Sequence, residues 1–77
     1  MPVIEAKLIQ GVFNESQKKE LIRKLTDAVT SIEGEGLREY THVLISEVAS
    51  GDWGIGGQPM TTAAVKAVAE RPKAKAG

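Results

Sequence analysis

Apolar and polar residues alternate from Val3 to Ile9, with Ile4, Ala6 and Leu8 falling to one side and Val3, Glu5, Lys7 and Ile9 to the other. A period of two predicts a strand with one fully apolar face. Gln10-Gly11-Val12-Phe13 then turns the chain. Asn14 followed three residues later by Gln17 predicts a helix start of the capping-box type, because each side chain can satisfy the other's unpaired backbone N–H. Phe13, just ahead of the cap, is positioned to staple onto the first turn. From there the period changes. Leu21, Ile22, Leu25, Ala28, Val29 and Ile32 recur at spacings of three and four, while Lys18, Lys19, Glu20, Arg23, Lys24 and Asp27 point elsewhere. The spacing predicts a helix from about Glu15 to Ile32, stopped by Gly34-Glu35-Gly36.

Leu37 to Tyr40 is expected to form a short connecting turn, and Thr41-His42-Val43-Leu44-Ile45-Ser46-Glu47-Val48 reads as a second strand rich in β-branched and aliphatic residues. Strand, long helix and strand make a βαβ unit, whose strands lie parallel and whose crossover is right-handed. Two strands are too few for a stable sheet, and one helix covers only one face of it. The other face is therefore expected to meet another subunit.

Four glycines occur in the seven residues Gly51-Asp52-Trp53-Gly54-Ile55-Gly56-Gly57, which implies a backbone held in turn conformations around one large ring. Thr61 to Glu70 is expected to be a short helix capped by Thr61 or Thr62 and ended by Arg71-Pro72. The fold class is thus α+β: a single βαβ unit with a C-terminal hairpin or short helix, occupying residues 1–70 and assembling into an oligomer. Residues 71–77, with alternating Lys and Ala, offer nothing to bury and are expected to form a flexible basic tail.

Composition narrows the chemistry. A chain of 77 residues holds one domain, and so short a domain hides too little apolar surface to be stable without staples or partners. Cysteine is absent and His42 is the lone histidine, so neither a disulfide framework nor a thiolate or multi-histidine metal site is expected within one chain. A reducing cytoplasm is the expected compartment. Ten acidic residues balance ten basic ones, which argues against nucleic acid or an acidic membrane as partner. The opening residues lack a basic leader and are not expected to be a signal peptide, and no run approaches the ~20 apolar residues of a membrane span.

Two features separated by most of the chain carry a resemblance. One is Met1-Pro2-Val3-Ile4 leading through a strand to Gln10-Gly11 and the helix start Asn14-Glu15-Ser16-Gln17-Lys18-Lys19. The other is Val43-Leu44-Ile45-Ser46-Glu47-Val48 running into Gly51-Asp52-Trp53-Gly54-Ile55-Gly56-Gly57. Together they resemble the 4-oxalocrotonate tautomerase family of the tautomerase superfamily, over roughly residues 2 to 60. The resemblance implies a cofactor-independent keto-enol isomerase, built as a hexamer (a trimer of dimers) with pockets shared between neighbouring chains. It also implies that Pro2, made N-terminal by removal of Met1, is the catalytic base and acid. A terminal proline is a secondary amine with a free lone pair. Such an α-amino group ordinarily titrates near ~8, and an apolar pocket lowers that value enough to leave a neutral base at pH 7.

Trp53 matches the position of the family's active-site aromatic, usually phenylalanine. Two arginines that hold substrate carboxylates in typical members are replaced here, by Val12 and His42. His42 can offer part of that function, as a neutral donor or a cation, and Arg38 is a substitute candidate for anion binding. The expected substrate is a small enol or 2-oxo acid, bound by His42, Trp53 and Arg38. Lys7, at odd spacing from Pro2, is expected to face away from the pocket, and Glu5 and Glu47 are not expected to meet. Two alternatives stay open: hydration, dehalogenation or decarboxylation by a protonated Pro2, or a non-catalytic oligomer on the same fold.

Overall fold

The computed structural model describes residues 1–70. The chain runs β1 (Val3–Ile9), α1 (Glu15–Glu33), a 3-10 helix (Glu35–Tyr40), β2 (His42–Val48), β3 (Trp53–Ile55), β4 (Gln58–Met60) and α2 (Thr62–Ala69). The strand and helix bounds inferred from periodicity agree to within about a residue, and Leu37 to Tyr40 is the end of the 3-10 helix rather than a simple turn. Both of the expected C-terminal features are present, a hairpin and then a short helix. The tail assigned to residues 71–77, and the Arg71-Pro72 helix stop, lie outside the described residues.

β1 and β2 pair in parallel, with Val3 opposite His42 and Ile9 opposite Val48. α1 begins with the expected reciprocal cap: Gln17 N–H donates to Asn14 Oδ1 at 2.8 Å and Asn14 N–H donates to Gln17 Oε1 at 2.9 Å. Glu47 lies on the same face of β2 as Val43 and Ile45, and its carboxylate meets Lys18 Nζ of α1 at 2.9 Å. This is therefore the face that α1 covers. Ile4, Ala6, Leu8, Val43 and Ile45 are half-buried on it, beneath Leu21, Leu25 and Val29.

The covered stripe is narrower than the apolar pattern implied. Ile22 and Ile32 remain exposed, Ile32 by 80 %, while Thr30 is buried in their stead. The reason is geometric: two strands about 5 Å apart make a strip too narrow to cover the whole apolar side of a helix. No helix covers the opposite face of the sheet, and Val3 and Leu44 stand open on it, although Ile9 at its far end is buried. Among the described residues Ile9 is the sole buried apolar side chain and none is fully enclosed. The radius of gyration is 15.2 Å, against the ~11 Å of a self-contained domain of this length. A single chain is thus an open framework that leaves Val3, Ile22, Ile32, Leu44 and Ile55 exposed.

Candidate active site

The glycine-rich segment forms a hairpin. Ile55 faces Gln58 across the two-residue turn Gly56-Gly57, whose φ values of 58° and 81° are those of a tight turn that matches the twist of the strands it joins. Trp53 is paired with Met60 at the open end of the hairpin, and Gly51 N–H donates to Met60 C=O at 2.8 Å, closing the loop behind the ring.

The hairpin and α2 are tied to the end of β1 through Thr62. Its hydroxyl donates to the carbonyl of Gln10, while its N–H donates to Ser50 Oγ at 2.9 Å. Gly11 makes the approach possible: it adopts φ +91°, and a Cβ placed there would lie 3.0 Å from Thr62 Cγ2. Thr61 caps α2 by accepting from Ala64 N–H.

A cavity of about 250 Å³ opens between these parts. Leu8, Ile9, Val12 and Phe13 line it from the end of β1 and the following turn; Trp53, Ile55 and Met60 come from the hairpin and Val65 from α2. Phe13, expected to pack on the helix start, is a wall of this cavity. Apart from Lys7, every lining side chain is apolar. Strand spacing directs Lys7 away from the pocket, and on this point the structure differs. Lys7 does point to the side opposite Ile4 and Ala6, but the hairpin returns to that same side, so Lys7 borders both the cavity and a shallower hollow beside it with Val48, Asp52 and Gly54. Among the described residues no carboxylate lies within ion-pairing distance of Lys7.

Pro2 is half-buried at the head of β1, and its carbonyl accepts His42 N–H at 3.0 Å. His42 is exposed at the start of β2, on the face that no helix covers. These two residues are neighbours, but Trp53 is not with them. Lys7, on the cavity rim, is five residues along β1 from Pro2, a span of ~17 Å at the usual strand rise. Within one chain, Pro2 and the Trp53 cavity therefore occupy opposite ends of the same strand.

Arg38 projects from the 3-10 helix back to α1. Its guanidinium pairs with Asp27 Oδ1 at 2.9 Å, donates to Thr30 Oγ1 at 3.2 Å and forks onto both carboxylate oxygens of Glu35. The Glu35 hydrogen bond, and then that to Asp27, raises the Arg38 pKa further above its ordinary value. In return Arg38 holds the Glu35 carboxyl below the usual carboxylate range. Glu5 and Glu47 sit on opposite faces of the sheet and do not meet. Among the described residues no group of three or more histidine, aspartate or glutamate side chains is placed to hold a metal, and no helix is long and apolar enough to cross a membrane.

Comparison with known proteins places this geometry in a family. The family described as tautomerase enzyme matches residues 2–63. Among solved structures, an unfused 4-OT in its apo form is 39 % identical, with 77 % of this chain and 93 % of that chain covered and a TM-score of 0.69. A 4-oxalocrotonate tautomerase homologue is 33 % identical over 74 % of this chain and 87 % of its own, with a TM-score of 0.65. DmpI from Helicobacter pylori is 30 % identical over 75 % of this chain and 94 % of its own, with a TM-score of 0.67. No curated protein matches the chain.

Proposed function

The chain belongs to the tautomerase family, and from that premise we propose that it isomerises a small enol or 2-oxo acid with the secondary amine of Pro2, exposed once Met1 is removed. The amine takes the proton of the enol hydroxyl. As the C–O bond becomes a carbonyl, the double-bond electron pair accepts the proton back from the ammonium at the adjacent carbon, and the catalyst is returned unchanged. No cofactor is consumed. For the amine to be the base at neutral pH, its pKa has to fall below the ~8 of a solvated terminus, which an apolar surrounding achieves by disfavouring the charged form.

One observation carries the reading: Trp53 and Val12, matched by resemblance to a family aromatic and a family arginine, line one apolar cavity. Because that cavity and Pro2 lie at opposite ends of β1 within a chain, the scheme joins the Pro2 of one copy to the cavity of another. The sheet face with Val3 and Leu44 provides the apolar surface for such an assembly, a hexamer in the proposed form. His42, beside Pro2, supplies the polar contact to the developing enolate oxygen. Arg38, the other expected carboxylate ligand, is held by Asp27 and Glu35 and would serve only by giving up Glu35 for substrate.

The test is the rate of ketonisation of a simple enol acid by the wild type and by Pro2→Ala. Loss of the secondary amine is expected to lower kcat by about a hundredfold or more. Equal rates would assign the chain to a non-catalytic role.

A further inference from the structure

We infer that Lys7 is the carboxylate anchor of the Trp53 cavity, and that the cavity selects acids with a single carboxylate on an apolar or aromatic body. The inference rests on reading this cavity as the substrate site. Its lining is hydrocarbon and aromatic throughout except for Lys7 on the rim. A volume of about 250 Å³ lies near the ~300 Å³ lower end of small-molecule pockets, enough for one ring or a short branched chain.

Charge sets the number of carboxylates. Lys7 has no ion-pair partner among the described residues, so its ammonium is available to a ligand without breaking an internal pair. Arg38, by contrast, is already held by Asp27 and Glu35. Val12 supplies no second cation inside the cavity. Asp52, which shares the adjoining hollow with Lys7, puts a negative charge on the Lys7 side of the rim, and like charges at close range repel. A monoanion gains Lys7 and buries its apolar end against Trp53, whereas a dianion leaves one carboxylate either desolvated against hydrocarbon or facing Asp52.

Trp53 is the only tryptophan in the chain, so its fluorescence reports occupancy of the cavity without turnover. The experiment titrates the assembled wild type and Lys7→Met with three non-reactive probes: 3-phenylpropionate, its neutral amide and benzylmalonate. In the wild type the monoacid is expected to bind about fivefold more tightly than the amide and more tightly than the dianion. Lys7→Met is expected to erase the preference for the acid over the amide while leaving amide affinity intact, and Lys7→Arg to restore it. An unchanged preference in Lys7→Met, equal affinity of the wild type for acid and amide, or no response to any probe would each overturn the assignment. Because binding is read without catalysis, an inactive but probe-binding protein would separate failure of the tautomerase mechanism from failure of the Lys7 assignment.

Discussion

The carbonyl oxygen of Pro2 and the backbone N–H of His42 form the first rung of the parallel sheet, at 3.0 Å. This bond fixes the end of the chain against β2 and ties the backbone of the residue that would carry the catalytic nitrogen to that of the one histidine in the protein. A terminus is ordinarily the least ordered part of a domain. Here it is anchored by a backbone bond that no side-chain substitution removes, so variants at His42 are expected to alter chemistry without releasing Pro2. His42→Ala should lower kcat for ketonisation about tenfold while leaving the melting temperature within a degree or two. Steady-state kinetics and a thermal melt on the same sample check both parts.

Trp53 is the bulkiest side chain lining the cavity and is half-buried in the isolated chain. Trp53→Ala is expected to destabilise the fold by about 2 kcal/mol and to weaken substrate binding more than turnover, since the indole offers the same apolar surface to substrate and to transition state. Trp53→Phe keeps a ring in place and should retain most of the activity. Chemical denaturation and a comparison of KM with kcat for the two variants distinguish these outcomes.

Val12 lies in the cavity wall at the position where the resemblance places an arginine. Val12→Arg adds the second cation that the site lacks, and it is expected to raise kcat/KM for a dicarboxylic enol about tenfold, the effect of one good charge-assisted contact. The same change should reduce kcat/KM for an apolar monocarboxylic enol, because it fills part of the hydrocarbon pocket. Competition between the two substrates in one reaction reads the ratio directly.

Gly11 is required by geometry. At φ +91° an alanine is strained, and its Cβ would also press on Thr62 Cγ2. Gly11→Ala is expected to cost about 1–2 kcal/mol and to loosen the Thr62 anchor that seats the hairpin on β1, so part of the stability loss should be shared with Thr62→Val. A double-mutant cycle by urea denaturation measures the overlap, which would be near zero were the two sites independent.

Ion pairs give the fold a pH dependence at both extremes. Arg38 holds Glu35 below its ordinary 4.5, so this contribution is complete above about pH 4.5 and fades as pH falls through the lowered folded-state value. Lys18 is raised above its ordinary 10.5, chiefly by its hydrogen bond to Glu47. That contribution is complete below about pH 10.5 and is lost as pH climbs through the raised value. Melting temperatures taken across the scale should decline at both ends, and Lys18→Met should flatten the alkaline arm while leaving the acid arm in place.

Much of this architecture is readable in the residue pattern because it depends on local rules. Alternation in β1 and β2, the Asn14–Gln17 cap and a threonine cap for α2, open between Thr61 and Thr62 and found at Thr61, each follow from a few neighbouring residues and reappear in the structure. What the pattern misses is long-range. Ile32 counts as core by periodicity yet stands exposed, because the width of the sheet beneath the helix is not encoded in the helix. Lys7 is excluded from the pocket by counting from Pro2, a rule that holds along one strand but says nothing about where the hairpin will fold back. The Gly56-Gly57 pair is the available signal, since adjacent glycines between short apolar segments mark a two-residue hairpin turn. Such a turn sends the chain back on itself beside Trp53 and brings the end of β1, with Lys7, into consideration.

Catalysis as proposed depends on a Pro2 nitrogen that is an accessible amine with its basicity lowered by its surroundings. NMR titration of protein carrying an isotope label at that nitrogen, in the assembled state and with Met1 removed, measures this directly. A single titration below ~8 is predicted, coinciding with the acid limb of the kcat/KM profile for an enol acid. A nitrogen that titrates at or above that value, with no inflection in the rate at the same pH, would contradict it.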